Sequence, residues 1–139
     1  MKTISFLVAE GKADLAKKIL LNGLRESRRE DTARVSMLYS LSTLIVDKDA
    51  DSSLLLVQQA LTISEKLKFT RGESNGLRML GNLFRLSGNY PRAIELNLAA
   101  LKKTEESGDE RRSGWVYHSL GSLYAYMGDY SKSTAYTLK

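Results

Sequence analysis

The feature that most constrains this chain is an internal repeat with a period of 40 residues. A shift of 40 positions aligns residues of similar size in the pairs Leu80 and Leu120, Gly81 and Gly121, Phe84 and Tyr124, Gly88 and Gly128, and Tyr90 and Tyr130. A weaker copy lies another 40 residues towards the start. A fixed period of this length predicts a fold in which one small unit is stacked several times. Three units are expected, near residues 34–73, 74–113 and 114–139, and the last of these is truncated.

Within each unit the apolar residues recur at spacings of three and four, as they do along one face of a helix. The middle unit shows this twice, in the run Leu77, Leu80 and Phe84 and in the run Ile94, Leu98 and Leu101. No segment shows the strict alternation that is typical of a strand. Each complete unit is therefore predicted to be a hairpin of two helices, and the whole chain to be all-α.

The residues between the two helical runs predict how the helices end and begin. Gly88 suits the left-handed position just past the end of a helix, and Pro91 suits the first turn of the next helix. Gly108 and Asp109 repeat this logic, with Asp109 expected to cap the following helix by accepting an amide hydrogen bond. In the first unit the repeat alignment suggests Asp51 as the corresponding cap.

Small residues are predicted to set the distance between paired helices. In two units a glycine precedes a small residue by 12 positions, in the pairs Gly81 with Ala93 and Gly121 with Ser133. Because an antiparallel hairpin brings such positions face to face, the helix backbones are expected to approach closely there. That packing would offset the ~1 kcal/mol cost of a glycine inside a helix. The first unit departs from this rule, with Leu41 expected opposite Ser53.

These features resemble the tetratricopeptide repeat family. The resemblance is carried by the segments LRMLGNLFRLSGNYPRAIELNLAAL and YHSLGSLYAYMGDYSKSTAY, and it covers roughly residues 31–139. It implies a right-handed α-α superhelix of about three helix hairpins, preceded by an N-terminal helix or capping segment over residues 1–30. The repeat is longer than the usual 34 residues, and the proline that commonly ends the second helix is missing.

The family resemblance implies that the first helix of each unit lines a concave groove that binds peptides. Carried over position by position, the groove residues of the last two units are Asn75, Arg78, Asn82, Arg85, Trp115, His118, Ser122 and Tyr126, and those of the first unit include Val35, Leu38 and Ser42. Two guanidinium groups and an amide on one helix face can fork onto a carboxylate. The partner is accordingly expected to be a protein or peptide, with an acidic one favoured. A solvated polar face, with the aromatic residues packed against further repeats, is the alternative.

Composition argues against chemistry at this surface. The chain has no cysteine and one histidine, so thiolate metal sites, cysteine catalysis and an imidazole pair are excluded. His118 with Ser119 or Ser122 nearby lacks the orienting group of a catalytic triad. The alternating Asp47, Asp49 and Asp51 resemble a calcium loop, but the glycine and glutamate that such a loop requires are absent. No metal, cofactor or catalytic residue is predicted, and the chain is expected not to be an enzyme.

Charge and hydropathy restrict the partners and the cellular location expected for the protein. The net charge of +5 favours acidic partners. Basic and acidic residues are interspersed, however, so nucleic-acid binding is a disfavoured hypothesis. The longest apolar runs are far shorter than the ~20 residues of a membrane span. The expected location is the cytoplasm, or the periplasm if the chain belongs to a membrane-anchored sensor.

Two functional readings remain open from the sequence. The first is a protein-interaction module, which could also self-associate through its open C-terminal end. The second is the sensory or regulatory part of a larger protein whose effector domain lies beyond Lys139. The segments EDTARVSMLYSLS and DKDADSSLLLVQQALTISEKLKF support the second reading. They resemble the leading repeats of tetratricopeptide modules attached to bacterial histidine kinases, nucleotide cyclases and response regulators.

Overall fold

The computed structural model describes residue 9, residues 11–27 and residues 29–139. Within these ranges the chain forms seven helices and no strand, which confirms the all-α prediction. The helices are α1 (Ala13–Glu26), α2 (Thr32–Ile45), α3 (Ala50–Lys66), α4 (Thr70–Leu86), α5 (Tyr90–Glu106), α6 (Glu110–Tyr126) and α7 (Tyr130–Thr137). They divide into two compact units, Met1–Leu67 (unit 1) and Lys68–Lys139 (unit 2). Across the described ranges, every helix lacks the length or the apolar character needed to cross a lipid bilayer.

In unit 1 the helix α1 packs against α2, and α2 pairs with α3. Ile19 and Leu20 are neighbouring apolar residues of α1. The structure buries Leu20 and leaves Ile19 exposed. Leu20 forms a core cluster with Ala16 and with Leu41 of α2. The N-terminal segment predicted over residues 1–30 lies partly outside the described residues, and its described part is this helix.

In unit 2 each helix packs on the next, from α4 through α5 and α6 to α7. The core of this unit consists of small and aliphatic residues from α5 and α6, namely Ala93, Ile94, Ala100, Val116, Leu120 and Leu123. Leu77 and Phe84 of α4 pack against this cluster. Most of the apolar positions identified from the repeat therefore hold consecutive helices together, whereas Leu98 is 40% exposed.

The turns of unit 2 follow the predicted chemistry. Gly88 has a φ of 84°, and the next amide, of Asn89, donates to the carbonyl of Phe84 at 2.9 Å. This is the left-handed arrangement that satisfies carbonyl groups at the end of a helix. Pro91 lies in the first turn of α5, and Asp109 accepts a hydrogen bond from the amide of Arg112 at the start of α6. Each of these predictions is confirmed.

The helices begin earlier than the predicted repeat boundaries suggest. Those boundaries, near Ser74 and Gly114, fall one turn inside α4 and α6, which start at Thr70 and Glu110. The first turn of each helix is mostly polar, so the apolar pattern begins one turn after the helix itself.

The cap of α3 also differs from the prediction. Asp49, rather than Asp51, precedes the helix, and its carboxylate accepts hydrogen bonds from the amide of Ser52 at 3.0 Å and the hydroxyl of Ser52 at 2.6 Å. Asp51 lies inside the first turn of α3. The prediction was wrong because the carboxylate must stand before the helix to reach the free amide three residues ahead.

The two helix hairpins of unit 2 both close on a glycine that faces the backbone of the partner helix. A Cβ atom at Gly81 would lie 3.2 Å from the carbonyl oxygen of Ala93, so α4 and α5 approach closely there. The same distance separates the position of a Cβ at Gly121 from the carbonyl oxygen of Ser133. A mid-helix glycine therefore marks a close backbone approach in both hairpins of unit 2.

In unit 1 the residue that contacts Ser53 is Ser42, and the expected partner Leu41 is wrong. The two serine hydroxyls lie 2.7 Å apart, and the hydroxyl of Ser53 also donates to the carbonyl of Ser42 at 3.0 Å. The repeat alignment could not anticipate this, because Leu41 turns towards the core cluster that α1 contributes. Consecutive side chains on a helix point about 100° apart, so the neighbouring Ser42 faces α3 instead.

Candidate functional site

The groove residues predicted for the last two repeats lie on α4 and α6, two helices of unit 2. We call the surface formed by these residues the α4–α6 face. Its two helices meet near their C-terminal ends, where the guanidinium carbon of Arg85 lies 5.9 Å from the ring centroid of Tyr126. The Tyr126 ring is also stacked on Tyr90, with centroids 5.7 Å apart and an angle of 4° between the rings. The Tyr126 ring of α6 is thus oriented by contacts with α4 and α5, while 60% of the residue remains exposed.

Arg85 is engaged within its own helix. Its Nε and Nη2 groups donate to the side-chain oxygen of Asn82, at 3.1 and 2.7 Å. Two members of the predicted set Arg78, Asn82 and Arg85 therefore bind each other. Arg78, the third member of that set, does not take part in this hydrogen bonding.

Arg78 is a partly buried cation of α4. Within the described part of the chain, no hydrogen bond or ion pair engages its guanidinium group. Burial lowers the pKa of Arg78 below its ordinary value, and the nearby positive charge of Arg112 lowers this pKa further.

Arg112 makes several contacts at the start of α6. Its Nη1 group pairs with the Oδ2 atom of Asp109 at 3.0 Å, and its guanidinium carbon lies 5.4 Å from the ring centroid of Trp115. Arg111 lies at the same distance from that ring. The Nε atom of Arg112 is buried and has no hydrogen-bond partner among the described residues.

Asp109 is the acidic residue of this cluster. The backbone amide of Arg112 is the first cause that lowers the pKa of Asp109, and the Arg112 side chain lowers it further. The charge of Arg71 on α4 acts in the same direction. One carboxylate therefore serves as helix cap, as ion-pair partner and as counter-charge to the basic residues around it.

The remaining predicted groove residues are placed as follows. Trp115 is 42% exposed, and His118 is exposed. Asn75 and Ser122 are partly buried. Among the described residues, none makes a recorded hydrogen bond or ring contact with the side chain of His118. The structure therefore joins Arg85 with Asn82 and Tyr126, and Trp115 with two arginines, while His118 stands apart.

No family model and no curated protein matches this sequence. Solved structures that are similar to it over nearly its whole length include the following two. BtubC (BKLC) from P. vanneervenii has 20% sequence identity and a TM-score of 0.78 over 96% of this chain, which spans 56% of that protein. A candidate kinesin light chain of Podosopora anserina with nearly identical TPR-like repeats has 14% identity and a TM-score of 0.76 over 97% of this chain, which spans 68% of that protein. The chain has a tetratricopeptide-like repeat fold. At these identities the likeness concerns the fold, and it confirms the family resemblance seen in the sequence at that level.

The tetratricopeptide-like fold does not leave the first repeat with the predicted groove. Val35, Leu38 and Ser42 are buried, so these positions do not present an open groove. The helix that carries them, α2, packs against α1 on one side and α3 on the other. An additional helix at the start of unit 1 thus leaves few surface positions on α2.

The sequence analysis did not identify two basic residues on the same helices as the α4–α6 face, Arg71 and Arg112. The segment around Arg112 has mixed charges, which predicts a solvated surface when it is considered alone. Arg112 precedes Trp115 by three residues, and residues at that spacing are neighbours on a helix surface. This spacing, together with the position of Asp109 as helix cap, is the signal that could have identified Arg112.

The described residues offer no alternative site for metal chemistry. Among them, no group of three histidine, aspartate or glutamate side chains is arranged to hold an ion. In the α2–α3 turn the carboxylate of Asp49 accepts a hydrogen bond from the backbone amide of Ser52 and so caps α3. The self-association predicted for the C-terminal end stays a prediction; α7 there has no buried residue.

Proposed function

We propose that this chain is a non-enzymatic interaction module that binds a peptide or protein segment on its α4–α6 face. The observation that carries the proposal is the exposure of two large aromatic residues, Trp115 and Tyr126, beside arginine side chains on one face of unit 2. Tryptophan, tyrosine and arginine are the residues most enriched among energetic anchors of protein interfaces. The tetratricopeptide-like fold supports a protein partner.

The contacts of Tyr126 favour its use as an anchor. Its ring is held between Tyr90 and Arg85 without being covered. A side chain that already has its bound orientation loses little conformational entropy when a partner docks. Contacts that a partner makes with the Tyr126 ring should therefore contribute to affinity with little loss for ordering the ring.

The charge of the face supports an acidic partner. Arg71, Arg78, Arg111 and Arg112 lie on α4 and the first turn of α6, together with the carboxylates of Glu73, Glu110 and the helix cap Asp109. The whole chain carries a net charge of +5. Complementary charge accelerates encounter and selects among partners, so an acidic segment is the favoured ligand.

A selection from a displayed random-peptide library against the full chain tests this proposal. Tyr126→Ala and Trp115→Ala should each weaken the selected peptides by about tenfold or more, as expected for interface anchors. Tyr130→Ala is the matched control, because Tyr130 is 69% exposed but belongs to α7. Equal effects of all three substitutions, with unchanged helicity, would reject the α4–α6 face as the binding surface.

A second proposal concerns the setting of the module. The resemblance of residues 30–42 and 47–69 to repeats of bacterial signalling proteins supports a sensory role within a longer chain. The gene sequence around this segment tests the idea. Kinase, cyclase or response-regulator motifs in the same reading frame would support it, and a frame without any effector domain would reject it.

A further inference from the structure

One side of the α6–α7 hairpin carries a column of three stacked tyrosine rings. The ring of Tyr136 on α7 lies between two rings of α6, with its centroid 6.3 Å from that of Tyr117 and 5.6 Å from that of Tyr124. We call the surface formed by these three residues and the exposed Thr134 of α7 the α6–α7 face. The three rings are half-buried, so each also has a surface open to solvent.

Both ends of the tyrosine column are held by charged side chains. The hydroxyl of Tyr117 donates to Glu105 at 2.6 Å, and the amino group of Lys139 lies 5.6 Å from the centroid of the same ring. The amino group of Lys132 lies 5.3 Å from the ring centroid of Tyr124. Rings that are already oriented in this way lose little conformational entropy when a partner covers them.

The α6–α7 face is separate from the α4–α6 face. Successive residues of a helix point about 100° apart, so each residue points about 200° away from the residue two places before it. Tyr117 and Tyr124 are therefore directed away from Trp115 and Ser122, which belong to the α4–α6 face. The two faces can be occupied independently of each other.

The 40-residue period relates the α6–α7 face to a surface that is covered in the same unit. Thr134 and Tyr136 of α7 correspond to Ile94 and Leu96 of α5. Ile94 and Leu96 are buried, and α6 packs on α5. Ile94 shares a core cluster with Val116 of α6. The equivalent surface of the preceding hairpin is thus covered by a helix.

The helix that covers α5 has a simple apolar pattern. Its buried aliphatic residues Val116, Leu120 and Leu123 follow the spacing i, i+4 and i+7, which places them on one helix face. Tyr124 and Tyr136 pack against the cluster that contains these residues. The core of unit 2 therefore continues up to the α6–α7 face, where α7 has no buried residue.

The two equivalent surfaces differ in one consistent respect. Apolar side chains of the covered surface are replaced on the α6–α7 face by side chains that carry a hydroxyl group. The replacements are Leu77 by Tyr117, Phe84 by Tyr124, Ile94 by Thr134 and Leu96 by Tyr136. Hydroxyl groups can bind water while the surface is free, and tyrosine suits interfaces because its ring can be covered while its hydroxyl stays hydrated. This chemistry fits a face that is covered reversibly.

We propose that the α6–α7 face binds an amphipathic helix of a partner protein, seated as α6 is seated on α5. The bound helix presents aliphatic side chains at positions i, i+4 and i+7 to the tyrosine column and Thr134. This binding site adds a second surface to the proposed function and does not depend on the α4–α6 face.

A second copy of this chain is a poorer occupant than a partner helix. Among the described residues, no helix exposes large aliphatic side chains at all three of the required positions. The nearest match is α1, which exposes Leu15 and Ile19 but has Asn22 at the third position. The self-association predicted from the sequence is therefore treated as an outcome of the test.

Fluorescence anisotropy with a labelled peptide of sequence 110–126 tests the inference on the full chain, because this sequence forms the helix that covers α5. The same peptide carrying Leu120→Asp should bind about tenfold or more weakly, since a charge then faces the tyrosine rings. Equal binding of the two peptides, or no measurable binding of the first, would overturn the inference.

Two substitutions of Thr134 locate the binding site. This residue is exposed, and its hydroxyl donates to the carbonyl of Tyr130 at 2.8 Å within its own helix, so its replacement leaves the core intact. Thr134→Glu should raise the dissociation constant of the peptide about tenfold or more. Thr134→Ile restores the side chain of the covered surface and should lower the dissociation constant about threefold or more.

Thr62→Glu is the matched control. Thr62 is exposed on α3, and its hydroxyl donates in the same way to the carbonyl of Gln58 at 2.9 Å. The control should change the dissociation constant less than about twofold, because an exposed charge far from a contact contributes little. Equal losses for Thr134→Glu and Thr62→Glu, with unchanged helicity, would reject the α6–α7 face.

Sedimentation velocity of the full chain distinguishes the two occupants. A monomer whose peptide binding is weakened by Thr134→Glu supports a partner helix. A dimer that Thr134→Glu dissociates would assign the α6–α7 face to a second copy and would overturn the inference.

Discussion

The α2–α3 hairpin of unit 1 and the α4–α5 hairpin of unit 2 occupy equivalent places in the repeat but are held together by different chemistry. In α4–α5, Gly81 removes a side chain so that the backbone can approach Ala93. In α2–α3, the hydroxyls of Ser42 and Ser53 form a buried hydrogen bond. The first solution depends on shape, and the second on satisfying two buried polar groups. Close helix pairing therefore does not require a glycine when a hydrogen bond can bridge the helices.

The turns of these hairpins differ in the same way. Gly88 takes a left-handed conformation after α4, and the following amide reaches back to Phe84. The turn after α2 contains no residue with positive φ, and the amide of Asp49 donates to Ile45 at 2.8 Å. The glycines of unit 2 thus serve both packing and turn geometry, whereas unit 1 obtains both from side-chain and backbone hydrogen bonds.

The largest expected effect is a loss of stability when the close approach of α4 and α5 at Gly81 is blocked. In Gly81→Ala the new Cβ would lie 2.5 Å from Nδ2 of Asn97. Asn97 is buried, and this group already donates to Ala93 at 2.9 Å. Relieving the overlap should lower the free energy of unfolding by about 2 kcal/mol, as for overpacking in other cores. Urea unfolding measures the change.

Gly114→Ala is the control for that substitution. Gly114 lies within α6, and a Cβ added there meets no atom within 4 Å. The variant should be more stable by roughly 0.5–1 kcal/mol, since alanine favours a helix over glycine. If Gly81→Ala stabilised the protein as much as Gly114→Ala does, the close approach of α4 and α5 would be disproved.

A smaller effect is expected for the hydrogen-bonded hairpin. Ser42→Ala removes the contact between the two hydroxyls but leaves the hydroxyl of Ser53 bound to the carbonyl at position 42. The free energy of unfolding should fall by about 1 kcal/mol, the usual value for one such bond. Ser36→Ala, at an exposed position of α2, should change it by less than ~0.5 kcal/mol. Residue-resolved amide hydrogen exchange should place the loss in α2 and α3, and a loss confined to unit 2 would contradict this account.

The smallest effect concerns the two aspartates that cap helices, Asp49 and Asp109, and the stability that is lost when they are protonated at low pH. The hydroxyl and then the amide of Ser52 hold the pKa of Asp49 below its ordinary value, and the amide of Arg112 does the same for the pKa of Asp109. Both carboxylates therefore stabilise the folded state fully above the unfolded pKa of ~3.9, and this stability is lost as the pH falls through the lower folded values. Ser52→Ala should return the pKa of Asp49 towards its ordinary value and leave that of Asp109 unchanged. Carbon-13 titration of the carboxyl groups follows both, and an unaltered Asp49 titration would refute the assignment of the cap.

The local features of the fold were predictable because their causes lie within a few residues. Gly88, Pro91 and Asp109 mark the ends of helices through backbone conformation and single hydrogen bonds, and the structure places each as expected. The repeat period likewise predicted helix hairpins, since apolar spacing of three and four recurs in each copy. Asp51 was misassigned because two aspartates stand within reach of the same helix start, and the alignment pointed to the wrong one.

The sequence by itself determined the helices, their order and most of the turns, because these depend on contacts between near neighbours. Only the tertiary structure decided how each helix is rotated about its axis. The packing of α1 on Leu41 left Ser42 to meet α3. Arg85 of α4 contacts the ring of Tyr126 on α6. Partners of this kind lie on different helices, so a pattern read along one helix cannot supply them.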